Sequence, residues 1–519
     1  MNFRIAGTAA AILVGAGFAC LAELALRRRS TDVFGWNESF LIGAGGCAAL
    51  LFPLSLVAPR RALDAVAVCI VLALAVIPIR IARAWRQRRG GQGRPAPPGA
   101  ADIVSFAFVV FAVALFWVLN LRAAFAWDGF QIWATKAFLL FREGGLRPEL
   151  WAGSIYEGRA GRAVNYPAIV PLFEALVARV LGRFEFLDLK PVFVLFFASM
   201  LLSTLKAARS VTLSRLERFG VVAMIAALPA FTSRPMVGGN ADLPVAACVA
   251  ALAAAWLSPD SRPGRWNSAV PWLLGSLLAA KSEGLILFAV AIVSAAAMTP
   301  VEDPARRLRF GAGAVLVGAA LLADRLVYLR WTAVPDRLID SPNPTTLVRA
   351  FDRIPDVAAL CARELVRVRE WGFFWPAFVV ASLLVVWASP GRQRSVALAS
   401  LLGLAAYSAI FLMSSWPVRL HVAQAYGRLL AQIAPAAAIT MLAAYRAVRM
   451  GPGFGAAGLA APEPGSAGTE RLRARRTRTN TASPSHPADE TNRHDQKIGA
   501  TYRRTTRCRP GPTATPWNA

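Results

Sequence analysis

The sequence predicts an all-α protein that crosses a membrane many times. Hydrophobic residues fill 56% of the 519 positions, and they come in runs of roughly 17 to 22, the length of a helix across about 30 Å of hydrocarbon. Because no water is present there to bond the backbone, such runs must be helices unless they form a closed barrel. The sequence lacks the alternating pattern of barrel strands. Arginines gather just beyond the ends of the runs, as in cytoplasmic loops.

We expect about thirteen transmembrane helices from the length and spacing of these runs. The first run is too long for a secretory signal, and three arginines, Arg27 to Arg29, follow it as a stop-transfer flank. The spans are expected near residues 5–26, 38–58, 62–82, 101–121, 190–207, 219–232, 243–257, 267–280, 284–299, 310–329, 372–389, 395–413 and 429–447.

The arginine clusters set the orientation, because cytoplasmic loops carry an excess of basic residues. All strong clusters lie on one side only if the apolar stretch 167–182 does not span. That stretch is short, has Pro167 and Pro171 near its start, and carries Glu174 and Arg179 along one side. We therefore expect an amphipathic helix in the outer interface.

With this assignment the amino terminus lies outside and the carboxyl terminus inside. Two long loops, residues 122–189 and 330–371, then face the periplasm of a bacterial inner membrane, and the first contains the interfacial helix. The assignment has one cost, since Arg60 and Arg61 also fall outside in a short turn.

Three regions are expected along the chain. Residues 1–100 form an N-terminal three-helix membrane segment, and residues 101–450 form a second transmembrane module that carries the motifs described below. Residues 451–519 are rich in Arg, Thr, Pro and Ala, with almost no aromatic residue. Because such a composition buries too little apolar surface to fold, this tail is predicted to be disordered in the cytoplasm.

Charge and cysteine usage exclude several classes of function. The chain carries 57 basic against 30 acidic residues, a net charge of +27. Nucleic acid is not expected as a partner, because the arginines flank the spans and form no binding stripe. The six cysteines show no CxxC or paired spacing, which excludes a disulfide framework and a zinc site. With three histidines, of which His421 alone lies in the membrane body, a histidine metal centre is also excluded.

An acidic residue follows directly after the fourth predicted span. Asp128 is flanked by Trp127 and Phe130, with Trp133 and Lys136 a little further on. Aromatic rings at a span end anchor at the headgroup level. A carboxylate held at this partly desolvated boundary is suited to act as a general base, or to remain ionised beside a cation such as Lys136. The alternative is a solvated loop acid next to an aromatic belt.

Further polar motifs recur at the predicted outer boundary. Asp242 stands at the mouth of a span in the sequence Ala-Asp-Leu-Pro, and Lys281 and Glu283 interrupt about thirty apolar residues. Ionised residues at such depth must face protein, water or each other. Arg428 begins the last span and has the fork geometry that grips a phosphate. The alternatives are a hairpin tip with an exposed ion pair and an arginine that snorkels to the interface.

In this order the motifs resemble the GT-C superfamily, the polytopic glycosyltransferases that take sugars from polyprenyl-phosphate carriers. The resemblance is to the branch of this superfamily near the protein-O-mannosyltransferases and the aminoarabinose transferases. The ordered set of motifs covers roughly residues 101–447. It comprises Trp-Asp and Lys-Ala in the first loop, Asn-Tyr-Pro at 165–167, Ala-Asp-Leu-Pro at 241–244, Lys-Ser-Glu-Gly at 281–284, and the final Arg-Leu-Leu span from residue 428.

The resemblance implies a GT-C-like fold and a transfer that inverts the sugar, with Asp128 as general base or its metal-assisted equivalent. It implies that Lys281 and Arg428 neutralise the departing phosphate, and that Asp242 and Glu283 orient sugar hydroxyls or a metal. Two further substrate-binding residues are expected in the first loop, Lys136 and Tyr166. The partners would be a polyprenyl-phosphate-linked sugar donor, membrane lipid, and a glycan, lipid or protein acceptor. No residue is expected to bind a metal, and whether the reaction uses a divalent cation is left open.

The chain departs from the family pattern at two positions. Asn165 stands where the family commonly has His or Asp before Tyr-Pro, and an amide cannot act as a base. Gly129 follows Asp128 where many relatives have a second acid. The three helices before residue 100 have no role that follows from the sequence.

Two other functions stay open. A transporter for a lipid-linked glycan would place ionisable residues near mid-membrane, usually within inverted repeats, and the sequence shows no repeat. A surface-polysaccharide polymerase or ligase would use the same donor but would carry its active site in the loop 330–371. The basic residues of that loop are Arg349, Arg353, Arg363 and Arg367.

Overall fold

A computed structural model of the chain describes residues 2–26, 35–75, 100–146, 166–258, 269–298, 343–389 and 391–450. These residues are 87% helical and contain no β-strand, which confirms the predicted all-α class. They belong to one unit that extends to Ala457. The predicted span near 310–329 and the tail 451–519 lie outside the described residues.

The helices follow the predicted runs closely. In chain order they are α1 (Asn2–Leu26), α2 (Trp36–Val57), α3 (Ala62–Ala75), α4 (Ala100–Arg122), a π-helix (Gly129–Ala134), α5 (Thr135–Glu143), α6 (Ile169–Leu181), α7 (Phe186–Leu189), α8 (Pro191–Val211), α9 (Arg215–Ala227), α10 (Pro229–Thr232), α11 (Arg234–Val237), α12 (Asp242–Leu257), α13 (Ala269–Ala280), α14 (Gly284–Met298), α15 (Pro344–Asp352), α16 (Ile354–Leu365), α17 (Val368–Trp371), α18 (Phe374–Ala388), α19 (Gly391–Ala409), a 3₁₀-helix (Ile410–Met413) and α20 (Val418–Met450).

Six stretches of the described chain are helical, long and apolar enough to cross a membrane. They are Arg4–Ala25, Trp36–Val57, Ile103–Arg122, Phe186–Val211, Gly391–Met413 and Val418–Met450. Five shorter apolar helices accompany them, and all five coincide with predicted spans: Ala62–Ala75, Asp242–Leu257, Ala269–Ala280, Gly284–Ala295 and Phe374–Ala388. The protein is therefore a helical membrane protein by the length and composition of its helices, while the total of thirteen spans stays a prediction.

The predicted span 219–232 is not one continuous helix. The helix α9 ends at Ala227, and Leu228 is extended, with φ −62° and ψ 121°. Proline at residue 229 explains the break, because proline disfavours the helical conformation of the residue before it. The chain continues through two helices of four residues each, α10 and α11. This irregular segment leads to the Gly238–Asn240 turn beside the candidate site.

The stretch 167–182 forms a helix, as expected, but the prediction that this helix has an exposed polar face is wrong. Ten of the thirteen residues of α6 are buried, and the helix packs against α1, α2 and α5. Glu174 is fully buried, and its two carboxyl oxygens have no hydrogen-bond partner in the described part of the chain. This burial raises the pKa of Glu174 well above its ordinary value. Arg179 lies at the exposed end, 2.7 Å from Asp64.

The longest helix, α20, organises the second half of the described chain. It packs against α8, α12, α16, α18 and α19, and the residues from Leu429 to Ala438 are all buried. Helices that pack together in lipid gain little from the hydrophobic effect, so close van der Waals contact between small residues is important. Alanine and other small residues are frequent in both α12 and α20, which allows the two backbones to approach.

Glycine permits a similarly close crossing of α1 and α2. A Cβ atom added to Gly43 would collide with the backbone carbonyl oxygen of Phe18, whereas one added to Gly46 would meet nothing within 4 Å. We expect Gly43→Ala to destabilise the protein by about 1–3 kcal/mol, because a backbone atom cannot move aside without separating the helices. Gly46→Ala is the matched control on the same helix.

The measurement is the unfolding transition of both variants in detergent. Equal stability of Gly43→Ala and Gly46→Ala would contradict the proposed crossing.

Candidate functional site

Five predicted site residues from widely separated segments form one connected set of ion pairs. Arg428 lies 2.6 Å from Asp128 through Nη1 and 2.8 Å from Asp242 through Nε. Lys281 lies 2.8 Å from the other oxygen of Asp242 and 2.9 Å from Glu283. We call Asp128, Asp242, Lys281, Glu283 and Arg428 the charge network.

Four of the five charges stand at a helix end or in a turn, and the fifth lies within a helix. Asp242 is the first residue of α12, where the helix dipole stabilises a carboxylate. Lys281 and Glu283 occupy the turn between α13 and α14, which the hydrogen bond from Gly284 N to Lys281 O closes. Arg428 lies on α20, and Gln432 one turn further along donates to Asp242 at 2.6 Å.

Glycines hold the first loop against the turn that precedes α12. The backbone N–H of Ala126 donates to Gly238 O at 2.9 Å, and a Cβ atom on Gly129 would collide with that same oxygen. Gly239 has φ +90°, a left-handed conformation that favours glycine. The departure noted at Gly129 therefore has a physical reason, because a second acid there would not fit this contact.

The network is buried at its centre and partly exposed at both ends, since the side chain of Glu283 is 25% exposed. Asp242 is fully buried and Lys281 is 5% exposed, whereas the side chains of Asp128 and Arg428 are 29% and 22% exposed. Arg428 holds Oδ2 of Asp128, and Oδ1 makes no hydrogen bond within the described residues. Asp128 is therefore oriented by one oxygen and has the other available to a ligand.

Electrostatics keep the buried centre charged. Burial lowers the pKa of Lys281, but the carboxylates of Asp242 and Glu283 outweigh burial and raise it above the ordinary value of a lysine. The network holds two cations and three carboxylates, so it is not a ready-made anion site. One oxygen of Glu283, Oε2, is buried with no hydrogen-bond partner in the described chain.

A buried polar chain supports the network from behind. Tyr407 donates its hydroxyl to Oε1 of Gln432, which orients the Gln432 amide toward Asp242. The sequence analysis did not single out Tyr407, because a lone tyrosine within an apolar run is typical of an ordinary helix. Gln432 carried a signal, since it follows Arg428 at helical spacing.

The two predicted residues of the first loop form a different contact. Lys136 is buried and donates to the backbone carbonyl of Tyr166, and the Tyr166 ring packs edge-on against Trp133 at 5.2 Å between centroids. No ion pair within the described residues joins Lys136 to the charge network. Their predicted substrate-binding role stays a prediction, and Asn165 lies outside the described residues.

The arginines of the second loop divide into two kinds. Arg353 donates to the backbone carbonyl of Ser414 at 2.6 Å, where it ties α16 to the chain before α20. Arg367 instead lies 3.2 Å from both Glu364 and Glu370. Arg349 and Arg363 form no ion pair with the charge network in the part of the chain that the structure describes.

A cleft of about 180 Å³ opens beside Arg428. It lies between the α10–α11 segment, the end of α16 with α17, and α20. Its polar lining residues are Ser233, Glu364, Arg367, Glu370, Gln424 and Arg428. Arg428 thus belongs both to the cleft and to the charge network.

The described residues do not fit a metal ion well. They include no group of three His, Cys, Asp or Glu side chains arranged to hold a metal. The guanidinium of Arg428 binds both Asp128 and Asp242, which places a cation where a shared metal would have to lie.

These features define a class, a polytopic helical membrane protein whose buried charge network ends at a polar cleft. No protein-family model matches the chain, and no curated protein or solved structure matches it.

Removing Asp242 tests whether the network is a unit. We expect Asp242→Ala to lower stability by about 3–5 kcal/mol, because it leaves buried cations without their common partner. The control is Asp64→Ala, which removes an exposed pair with Arg179 and is expected to cost about 1 kcal/mol or less. Denaturant unfolding in detergent measures the stability of both variants. A similar loss of stability in the two variants would contradict the view that the charge network acts as one unit.

Proposed function

We propose that the protein is a membrane glycosyltransferase of the GT-C type, which moves a sugar from a polyprenyl-phosphate carrier to an acceptor outside the cytoplasm. One observation carries the proposal: the charge network ends in a partly exposed carboxylate, Asp128, beside a polar cleft. The ordered motifs supply the reaction class, and the geometry supports it because five of the seven residues that those motifs single out lie together.

Asp128 acts as the general base in this proposal. Its Oδ1 accepts the proton of an acceptor hydroxyl while that hydroxyl oxygen attacks the anomeric carbon of the donor sugar. The bond from the anomeric carbon to the phosphate oxygen breaks, and the polyprenyl phosphate leaves with the electron pair. Arg428 fixes the carboxylate through Oδ2, so that the free oxygen needs little reorganisation to accept the proton.

The other four residues of the charge network have two kinds of electrostatic role. Lys281 and Arg428 supply positive charge for the departing phosphate, as donors already held in place. Asp242 and Glu283 hold these cations, a positioning role, rather than contacting sugar hydroxyls as the resemblance implied. The carboxylates engage Nε and Nη1 of Arg428, and Nη2 makes no hydrogen bond within the described residues. Nη2 can therefore meet the phosphate while Arg428 keeps its contact with Asp128.

The site is proposed to face the periplasm of a bacterial inner membrane. The support is the placement of the basic clusters, since Arg446 and Arg449 lie at the far end of α20 from Arg428, some 30 Å along the axis at about 1.5 Å per residue. Both arginines pair with Glu217, which lies before the apolar part of α9. The positive end of α20 would thus be cytoplasmic.

A surface-polysaccharide polymerase or ligase is the second candidate. The observation that favours it is Arg367, an arginine of the loop 330–371 that lines the cleft together with Arg428. Such an enzyme would use the same lipid-linked donor, but it would lengthen a glycan chain. The length distribution of the labelled product distinguishes the two candidates, because a simple transferase adds one sugar.

The test of the proposal uses the full chain in membranes with labelled polyprenyl-phosphate-linked hexoses and pentoses. We expect Asp128→Asn to reduce transfer by about 10²- to 10⁴-fold, the usual contribution of a general base, because an amide cannot accept the proton. The matched control is Asp356→Asn, an exposed acid on α16 outside the network, which is expected to transfer at the wild-type rate. Undiminished transfer by Asp128→Asn would end the assignment of the base.

A further inference from the structure

The cleft beside Arg428 has a polar lining, and of its residues only Arg428 has a role in the proposed reaction. Arg367 bridges Glu364 and Glu370 on one wall, and Gln424 and Ser233 line the cleft as well. The exposed fractions of the Arg367 and Glu370 side chains are 45% and 37%. These groups therefore face solvent across the cleft and can exchange water for a ligand.

The charges of this lining favour a neutral ligand. Two guanidinium groups, of Arg367 and Arg428, face two carboxylates, of Glu364 and Glu370, so the lining carries no net charge. Each arginine is already bonded to carboxylates, so an anionic acceptor, in addition to the donor phosphate, would find no unmatched cation. Guanidinium, carboxylate, amide and hydroxyl groups together offer both donors and acceptors, the combination that binds a ring of hydroxyls.

The size of the cleft limits the ligand to one small unit. Its volume of about 180 Å³ is below the roughly 300–1,000 Å³ of pockets that enclose drug-sized molecules. Arg428 links the cleft to Asp128, which it contacts at 2.6 Å. A ligand held in the cleft is thus separated from the proposed base by one side chain, that of Arg428.

We propose that this cleft binds the acceptor, and that the acceptor is a neutral sugar unit. The inference rests on the proposed function and names the acceptor class that the resemblance leaves open. Arg367, Glu370 and Gln424 bind the sugar hydroxyls, and the bond formed joins one of those hydroxyl oxygens to the anomeric carbon of the donor sugar. The proton passes to Asp128, and the phosphate leaves on the carrier.

Gly427 offers a way to close the cleft without removing a charge. It lines the cleft, and an added Cβ atom would meet only the Glu370 carboxylate, at 3.5 Å. A helical position tolerates this change, because glycine is the weaker helix former. The matched control is Gly220→Leu on α9, where an added Cβ meets nothing within 4 Å.

The experiment uses the purified full chain in nanodiscs with a labelled polyprenyl-phosphate-linked sugar. Three acceptor probes are supplied in parallel: neutral methyl hexosides, a serine-containing peptide and a phosphorylated glycolipid. We expect label on the methyl hexosides, and we expect Gly427→Leu to raise the KM for them by about tenfold or more, because the site loses hydroxyl contacts. Gly220→Leu is expected to keep the wild-type KM.

Arg367→Gln provides a second variant that keeps the backbone unchanged. It should raise the acceptor KM with little change in the donor KM, whereas Arg369→Gln, an exposed neighbour outside the cleft, should change neither. Label found on the peptide or the phosphorylated glycolipid instead of the methyl hexosides overturns the inference. An unchanged acceptor KM in both cleft variants overturns it too.

The same assay separates this inference from the proposed function. If Asp128→Asn abolishes transfer while both cleft variants match wild type, the acceptor site is wrong and the glycosyltransferase proposal stands. If the wild-type chain transfers no sugar from any lipid-linked donor, both fail.

Discussion

The buried carboxylate of Asp242 is the constraint on which the site depends. It is fully buried and accepts from Arg428, Lys281 and Gln432. Because an ion in such surroundings is stable only when it is paired and hydrogen-bonded, α12, α20 and the turn after α13 must meet at this point. The packing of α12 on α20 through small residues permits that meeting, and the exposed end of the network is fixed in turn.

Glycine contacts then decide where Asp128 lies. The first loop touches the turn before α12 backbone to backbone, through Ala126, Gly129 and Gly238. The chain reaches that turn through the break before Pro229, where the helix α9 ends. One local rule, the effect of proline on the residue before it, thus has a consequence for the site. A continuous helix over 219–232 would have carried Gly238 elsewhere.

Hydropathy predicted the helices well because span length and apolar content are local properties. The same reasoning identified the charged residues of the network one at a time, from the cost of burying each. It could not predict their pairing, since Asp128 and Arg428 are 300 positions apart. The prediction that Glu174 lies on an exposed helix face was wrong. A helix with one acid and one arginine has an amphipathic pattern, and the sequence does not show which helices cover it. Tyr407 and the cleft were missed for the same reason, as both depend on packing between distant helices.

Arg428 serves two carboxylates at once, and this explains why arginine stands there. Its Nε binds Asp242 while its Nη1 binds Asp128, so two nitrogens of one rigid plane set the relative positions of the buried and the exposed acid. A lysine would offer a single nitrogen on a flexible stem and would not fix that geometry. Because Arg428 also lines the cleft, a ligand there and the carboxylate of Asp128 share one planar group. The orientation of the proposed base is therefore linked to the cleft through a single side chain.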